Sequence, residues 1–85
     1  MKRALITGIT GQDGAYLAQF LLKKGYSVYG SYRRQSSGNF WRLHYLDIAE
    51  KINFLPADVL DSTSLYRSLE ISDPAEIYHL AAQSF

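Results

Sequence analysis

A short apolar run that leads straight into regularly spaced glycines constrains the fold of this chain more than any other feature. The run is Ala4 to Ile6, and the glycines follow three residues apart at Gly8, Gly11 and Gly14. A buried strand that turns on glycine into a helix leaves unpaired N–H groups and positive potential at the helix tip. This arrangement favours a phosphate group as the ligand.

The three glycines have different expected roles at such a site. Gly8 allows a tight turn, Gly11 lets the backbone approach a diphosphate, and Gly14 lets the helix lie close to the strand. A tight turn without a ligand is the alternative, because glycine loops are common. Thr10 is expected to cap the helix, with Asp13 in the first helical turn.

Strand and helix patterns alternate along the whole chain. The first helix is expected over residues 11–24, because apolar residues recur on one face at Leu17, Ala18, Leu21 and Leu22. Strands are expected at 3–7, 27–32, 52–55 and 76–80, and further helices at 40–48 and 62–69. This β-α-β-α-β-α-β order predicts an α/β fold, a Rossmann-type doubly wound parallel sheet of which residues 1–85 form the first half.

Composition excludes several classes of protein. The chain has 85 residues, 47% of them hydrophobic, which is enough for one small core. A net charge of +1 gives no general attraction to nucleic acid or membrane, and the absence of cysteine excludes disulfides and thiolate metal sites. No metal site is expected. With no apolar run of membrane-spanning length and no signal peptide, a cytoplasmic location is expected.

Two arginines after the second strand bear on cofactor choice. NAD-binding units usually place an acidic residue about 20 positions after the glycines, where it holds the ribose 2′-hydroxyl. Arg33 and Arg34 occupy that place, and no acidic residue lies between Gly14 and Asp47. Guanidinium groups favour a 2′-phosphate, so the sequence predicts NADP, with Ser36 as a further donor. The alternative is a solvated arginine pair at the edge of a loop.

The ends of the third and fourth strands supply further candidates. Asp58 and Val59 could contact adenine, and the alternative is that Asp58 is a turn or capping residue. The small residues that follow Leu80 could pass under a ribose or simply pack. Asp61 is expected to cap the third helix, with Leu65 and Leu69 facing inward. Trp41 is interpreted as a packing residue, and His79 is expected to face a helix layer.

These motifs resemble a known family. Residues 7–14, 32–34, 58–59 and 80–84 are similar to the extended short-chain dehydrogenase/reductases that act on nucleotide sugars, and Gly-Gln-Asp-Gly resembles the GDP-mannose 4,6-dehydratase family in particular. The resemblance implies an NADP-binding unit whose cofactor-binding residues are Gly8, Thr10, Gly11, Gln12, Asp13, Gly14, Arg33, Arg34, Ser36, Asp58, Val59, Leu80, Ala81, Ala82 and Ser84.

The resemblance also implies an activity. It is the conversion of GDP-mannose to GDP-4-keto-6-deoxymannose, by internal hydride transfer and loss of water, in a homo-oligomeric enzyme. The family's catalytic Tyr-x-x-x-Lys is absent, since none of the seven tyrosines has lysine four residues later. Residues 1–85 are therefore expected to be the cofactor half and inactive alone. A nucleotide-sugar reductase or epimerase, or a non-catalytic NADP-sensing module, are the alternatives.

Overall fold

The computed structural model describes residues 1–33, 40–57 and 61–80. Within these ranges no helix is long and apolar enough to cross a membrane. The strands and helices in chain order are β1 (Arg3–Thr7), α1 (Gln12–Lys23), β2 (Ser27–Tyr32), α2 (Trp41–Tyr45), a short 3₁₀ helix (Ala49–Lys51), β3 (Ile52–Pro56), α3 (Ser62–Ser72) and β4 (Glu76–His79).

The four strands form one parallel sheet in the order β3-β2-β1-β4. Ala4 of β1 lies opposite Val28 of β2 on one side and Glu76 of β4 on the other. The two central strands come first in the chain, and the order reverses direction beside β1. In an open α/β sheet this reversal leaves a crevice at the carboxyl ends of the strands, which is where ligands bind. The predicted fold class is confirmed.

The core lies between α1 and one face of the sheet. Ala4, Ile6 and Val28 on the sheet pack with Ala18 and Leu21 of the helix, and all five are at most 2% exposed. Burying each large aliphatic side chain here stabilises the fold by roughly 1.5–3 kcal/mol. The apolar face predicted for the first helix is the face that packs on β1 and β2.

A glycine in β2 has a packing role that the sequence did not indicate. A Cβ atom on Gly30 would lie 2.6 Å from Cγ1 and 2.7 Å from Cβ of Ile9, which is fully buried. Ile9 is part of the glycine loop, and it fills the space over β2 that a larger residue at position 30 would occupy. The loop is therefore held down on the sheet by an apolar contact as well as by its backbone.

The third helix confirms one expectation and corrects another. Asp61 caps α3, since its carboxylate Oδ1 accepts the Thr63 N–H at 3.0 Å. The expected inward position of Leu69 is wrong, because this side chain is 36% exposed. Ser68 and Ser72 lie against the sheet instead, and the Ser72 hydroxyl donates to the Ser68 carbonyl at 2.7 Å. Small residues let the helix approach the sheet closely.

The second helix is shorter than expected, five residues followed by the separate 3₁₀ turn. Leu43 is its buried residue, whereas Trp41 is 58% exposed, so the interpretation of Trp41 as a core packing residue is wrong. Phe40, just before α2, anchors the helix on the sheet. Its ring lies 5.2 Å from that of Tyr32 and 4.8 Å from that of Phe54, between ring centroids.

The Glu76 carboxylate, at the start of β4, accepts two hydrogen bonds and forms one ion pair. The Tyr78 hydroxyl donates to Glu76 Oε1 at 2.8 Å, the Tyr26 hydroxyl donates to Oε2 at 3.1 Å, and Lys2 Nζ lies 3.5 Å from Oε2. The Tyr78 hydrogen bond is the largest cause that lowers the pKa of the Glu76 carboxyl below its ordinary value of 4.5, and the same bond raises the pKa of Tyr78.

This lowered pKa predicts a pH dependence of stability. In the unfolded chain Glu76 titrates near its ordinary value, so the stabilisation is fully present above about pH 4.5 and is lost as pH falls through the lower folded pKa. Urea unfolding between pH 7 and pH 3 should show Glu76→Gln losing less stability in this window than the unmodified protein. The matched control is Glu70→Gln, on exposed α3 surface. Parallel pH profiles for the protein and Glu76→Gln would contradict the prediction.

Candidate functional site

The glycine loop joins β1 to α1 directly above the end of β2. Gly8 has a φ of 76°, in the left-handed region that favours glycine. The N–H groups of Gly8 and Ile9 both donate to the Ser31 carbonyl at 3.1 Å. These two bonds fix the loop to the carboxyl end of β2, so that the rest of the loop faces the crevice at the carboxyl ends of β1 and β4.

The helix that follows begins without a side-chain cap. Gly11 is the N-cap of α1, and its N–H donates to the Gly8 carbonyl at 3.2 Å. The expected cap at Thr10 is therefore wrong: this internal turn shifts the helix start beyond Thr10, and the Thr10 carbonyl accepts from Arg42 instead. The first helical bond runs from Ala15 N–H to the Gly11 carbonyl at 3.0 Å.

The N-terminus of α1 therefore presents several backbone N–H donors in a region of positive electrostatic potential. The N–H groups of Gln12, Asp13 and Gly14 precede the first helical bond, and N–H groups at this place have no partner within a helix. The aligned peptide dipoles add positive potential at the same point. A diphosphate supplies both the acceptor oxygens and the negative charge that such a tip favours.

The glycines at the two ends of this tip are required for different reasons. A Cβ on Gly14 would lie 2.7 Å from the Gly8 carbonyl oxygen and 3.0 Å from Ile9 Cα, so internal packing demands glycine there. A Cβ on Gly11 would meet only the Gly8 oxygen, at an ordinary 3.6 Å. The protein's own packing does not require glycine at position 11. The open space beside it fits a ligand that approaches the backbone.

One cavity brings together six of the residues predicted for cofactor binding. Its volume is about 230 Å³, and its lining residues are Gly8, Gly11, Gln12, Asp13, Gly14 and Leu80. Five of the six come from the glycine loop and the first turn of α1, and the sixth comes from the end of β4. The cavity therefore lies at the carboxyl edge of the sheet, between the two strands where the sheet order reverses.

A hydrogen-bonded link between β1 and β4 lies beside this cavity, because Leu80 takes part in both. Thr7 Oγ1 accepts the Leu80 N–H at 3.1 Å and lies 2.8 Å from His79 Nδ1. The Leu80 N–H also reaches the Thr7 carbonyl at 3.1 Å. The expectation that His79 faces a helix layer missed this role. No sequence pattern indicated this role, because Thr7 and His79 come together only through the register of β1 against β4.

Of the remaining residues predicted for the site, the structure describes some and leaves others outside its described ranges. Arg33 is exposed at the end of β2. The calls on Arg34, Ser36, Asp58, Val59, Ala81, Ala82 and Ser84 fall outside the described residues. In the part of the chain that the structure describes, no group of three or more His, Asp or Glu side chains could hold a metal ion.

Comparison with known proteins agrees with this geometry. The family model described as GDP-mannose 4,6 dehydratase matches residues 5–85. GDP-mannose 4,6-dehydratase of Yersinia enterocolitica is 52% identical over 89 residues, which cover 99% of this chain and 24% of that protein. The chain thus spans about a quarter of the length of the curated relatives it matches.

Solved structures share the fold. The Bordetella bronchiseptica enzyme WbmH, solved in complex with NAD+, superposes with a TM-score of 0.80 at 27% identity. The matched region covers 99% of this chain and 27% of the WbmH chain. A putative epimerase of Burkholderia cenocepacia has a TM-score of 0.78 at 29% identity, with 98% and 26% coverage.

Fold and loop together define a Rossmann unit, the class of fold that the chain shares with the NAD+-bound enzyme WbmH. The family model matches residues 5–85, nearly the whole chain, and this match identifies one family within the fold class. The chain belongs to the GDP-mannose 4,6-dehydratase family.

Substituting the two loop glycines separates packing from ligand binding. Gly14→Ala should destabilise the protein, by about 1–3 kcal/mol, because the new methyl group collides with backbone atoms. Gly11→Ala should leave stability within about 1 kcal/mol and weaken dinucleotide binding at least tenfold, because its methyl group fills the ligand's space. Thermal unfolding and calorimetric titration measure the two effects. Full dinucleotide affinity in Gly11→Ala would contradict this assignment of the cavity.

Proposed function

We propose that this chain is the NADP-binding N-terminal part of a GDP-mannose 4,6-dehydratase. The observation that carries the proposal is the cavity at the tip of α1, lined by six motif residues, in a chain about half identical to such dehydratases. Residues 1–85 supply the cofactor half of a larger domain. The relatives are about four times as long as the matched stretch, and we expect the catalytic and substrate-binding parts in the portion that this chain does not cover.

The residue types of the predicted site fit a dinucleotide by their chemistry. The N–H groups at the start of α1 would hold the diphosphate, and the space beside Gly11 admits it. Arg33 and Arg34 would hold the 2′-phosphate, with Ser36 as a hydroxyl donor. Asp58 and Val59 would contact adenine, and residues 80–84 the central part of the cofactor. Bound NADP would supply the acceptor and donor of a hydride.

The hydrogen bonds of Thr7 would help to position a bound cofactor. They fix the end of β4, up to Leu80, against the end of β1, and Leu80 lines the cavity at the helix tip. A bound cofactor would therefore meet a fixed wall on the β4 side of the diphosphate site. Proton transfer belongs to residues beyond this chain, because it has no Tyr-x-x-x-Lys. Residues 1–85 alone would bind but not turn over substrate.

The proposed reaction converts GDP-mannose to GDP-4-keto-6-deoxymannose with loss of water and no net oxidation. We further propose a homo-oligomer, as the family resemblance implies, and a cytoplasmic location, as expected from the sequence composition. An NADP-dependent nucleotide-sugar reductase or epimerase is the second candidate. The structural similarity to a putative epimerase favours it, because such enzymes share this loop and sheet.

The complete protein distinguishes these activities in one assay. Incubated with GDP-mannose and catalytic NADP, it should release a 4-keto-6-deoxy product without consuming added NADPH, because a hydride that leaves the sugar returns to it. Mass spectrometry detects the loss of one water, and absorbance at 340 nm follows NADPH. Stoichiometric NADPH consumption indicates a reductase, and a product isomeric with the substrate indicates an epimerase. Either outcome would overturn the proposed reaction.

Removing the two arginines should change cofactor preference rather than fold. Arg33→Ala combined with Arg34→Ala should weaken NADP binding by about 10- to 100-fold and NAD binding much less, because only NADP carries the 2′-phosphate that these charges contact. Calorimetry with both dinucleotides measures this. Lys23→Ala with Lys24→Ala, at the far end of α1, removes the same charge away from the site and should change neither affinity. Equal losses for NADP and NAD in the arginine variant would refute the assignment.

A further inference from the structure

The end of β1 holds two different parts of the cavity lining at the helix tip. The N–H groups of Gly8 and Ile9 donate to the Ser31 carbonyl at 3.1 Å, which ties the glycine loop to β2. The Leu80 N–H reaches both the carbonyl and the hydroxyl oxygen of Thr7 at 3.1 Å, which ties the end of β4 to β1. Since the loop and Leu80 both line the cavity, its shape depends on how Thr7 is held.

The imidazole of His79 holds the Thr7 side chain in place. Its Nδ1 lies 2.8 Å from Thr7 Oγ1, because the two residues are partners in the register of β1 against β4 and their side chains share one face of the sheet. Threonine is β-branched, so its χ1 angle has few preferred values. The rotamer that brings Oγ1 to the Leu80 N–H is the same one that His79 bonds.

This contact adds little to the core and is not needed for strand pairing. His79 is exposed, so its ring buries little apolar surface. The bond from the Leu80 N–H to the Thr7 carbonyl continues the ladder between β1 and β4 without any side chain. What the imidazole contributes is therefore control over the hydroxyl of Thr7, which is only 3% exposed.

We propose that His79 is a positioning residue for the dinucleotide. By holding Thr7 Oγ1 against the Leu80 N–H, it fixes the β4 wall of the cavity relative to the glycine loop. This inference rests on the proposed dinucleotide-binding function and adds a residue that acts through Thr7 rather than on the ligand. Without the imidazole contact the Thr7 side chain can rotate and the end of β4 gains freedom. Ligand binding must then restrict that freedom, which lowers the affinity.

Calorimetry with NADP on the complete protein measures this role. His79→Leu removes the ring nitrogen and should weaken binding by about 3- to 10-fold, as expected for the loss of one hydrogen bond. His79→Asn should bind within about twofold of the unmodified protein, because its amide places a polar atom where the imidazole has Nδ1 and can donate or accept. Leucine and asparagine side chains have the same branched shape, so this pair isolates the polar contact. His44→Leu, at an exposed position of α2, is the matched control and should leave the affinity unchanged.

A double-mutant cycle tests whether His79 acts through Thr7. Thr7→Val removes the hydroxyl and should itself weaken NADP binding. Adding His79→Leu to Thr7→Val should cause no further loss, because the contact between the two side chains is already absent. Losses that simply add would mean that His79 acts by another route, and would overturn the inference.

The remaining outcomes separate this inference from the function on which it rests. Unchanged NADP affinity in His79→Leu, even with a lowered unfolding temperature, would show a purely structural role and overturn the inference while the proposed function stands. Failure of His79→Asn to restore binding would do the same. If the unmodified protein binds neither NADP nor NAD, the proposed function itself fails. Thermal unfolding establishes that each variant is folded. If His79→Leu is not, His79→Gln replaces it, because its amide lies one bond further from the main chain and cannot reproduce the Nδ1 contact.

Discussion

The close approach of α1 to the glycine loop is the constraint on which the rest of the structure depends. Gly14 lies so near the Gly8 carbonyl and Ile9 that no side chain fits between them. This contact sets the height of the helix above the sheet and aims its N-terminal N–H groups at the crevice. Ile9 packs directly on Gly30, so the position of the loop over β2 is fixed as well. The cavity is therefore a by-product of how the first helix packs.

The fold was largely predictable because its signals are local. Glycine spacing, an amphipathic helix and alternating apolar runs each reflect the conformation of a few consecutive residues, and the parallel sheet follows from their order. The Asp61 cap was predictable for the same reason. The position of the α1 N-cap was not predictable in this way. Thr10 does not cap the helix because of a turn between Gly8 and Gly11, which the residue types alone do not reveal.

What the sequence could not supply are contacts between distant residues. The partners Thr7 and His79 are 72 residues apart, and their pairing depends on the register of β1 against β4. Leu69 carries an apolar side chain at helical spacing, yet α3 turns Ser68 and Ser72 to the sheet, where close packing outweighs hydrophobicity. The bond from Arg42 to the Thr10 carbonyl was not predictable either, because α2 is held near the end of β2 by the aromatic contact between Tyr32 and Phe40.

That aromatic contact also bears on how much change in chain length the sheet tolerates. The Tyr32 and Phe40 rings hold the chain at both ends of the stretch between them, so one or two residues could be added or removed there at a small entropic cost. A change of length at this place would leave the buried face of the sheet as it is, because Ala4, Ile6 and Val28 pack against α1 on their own.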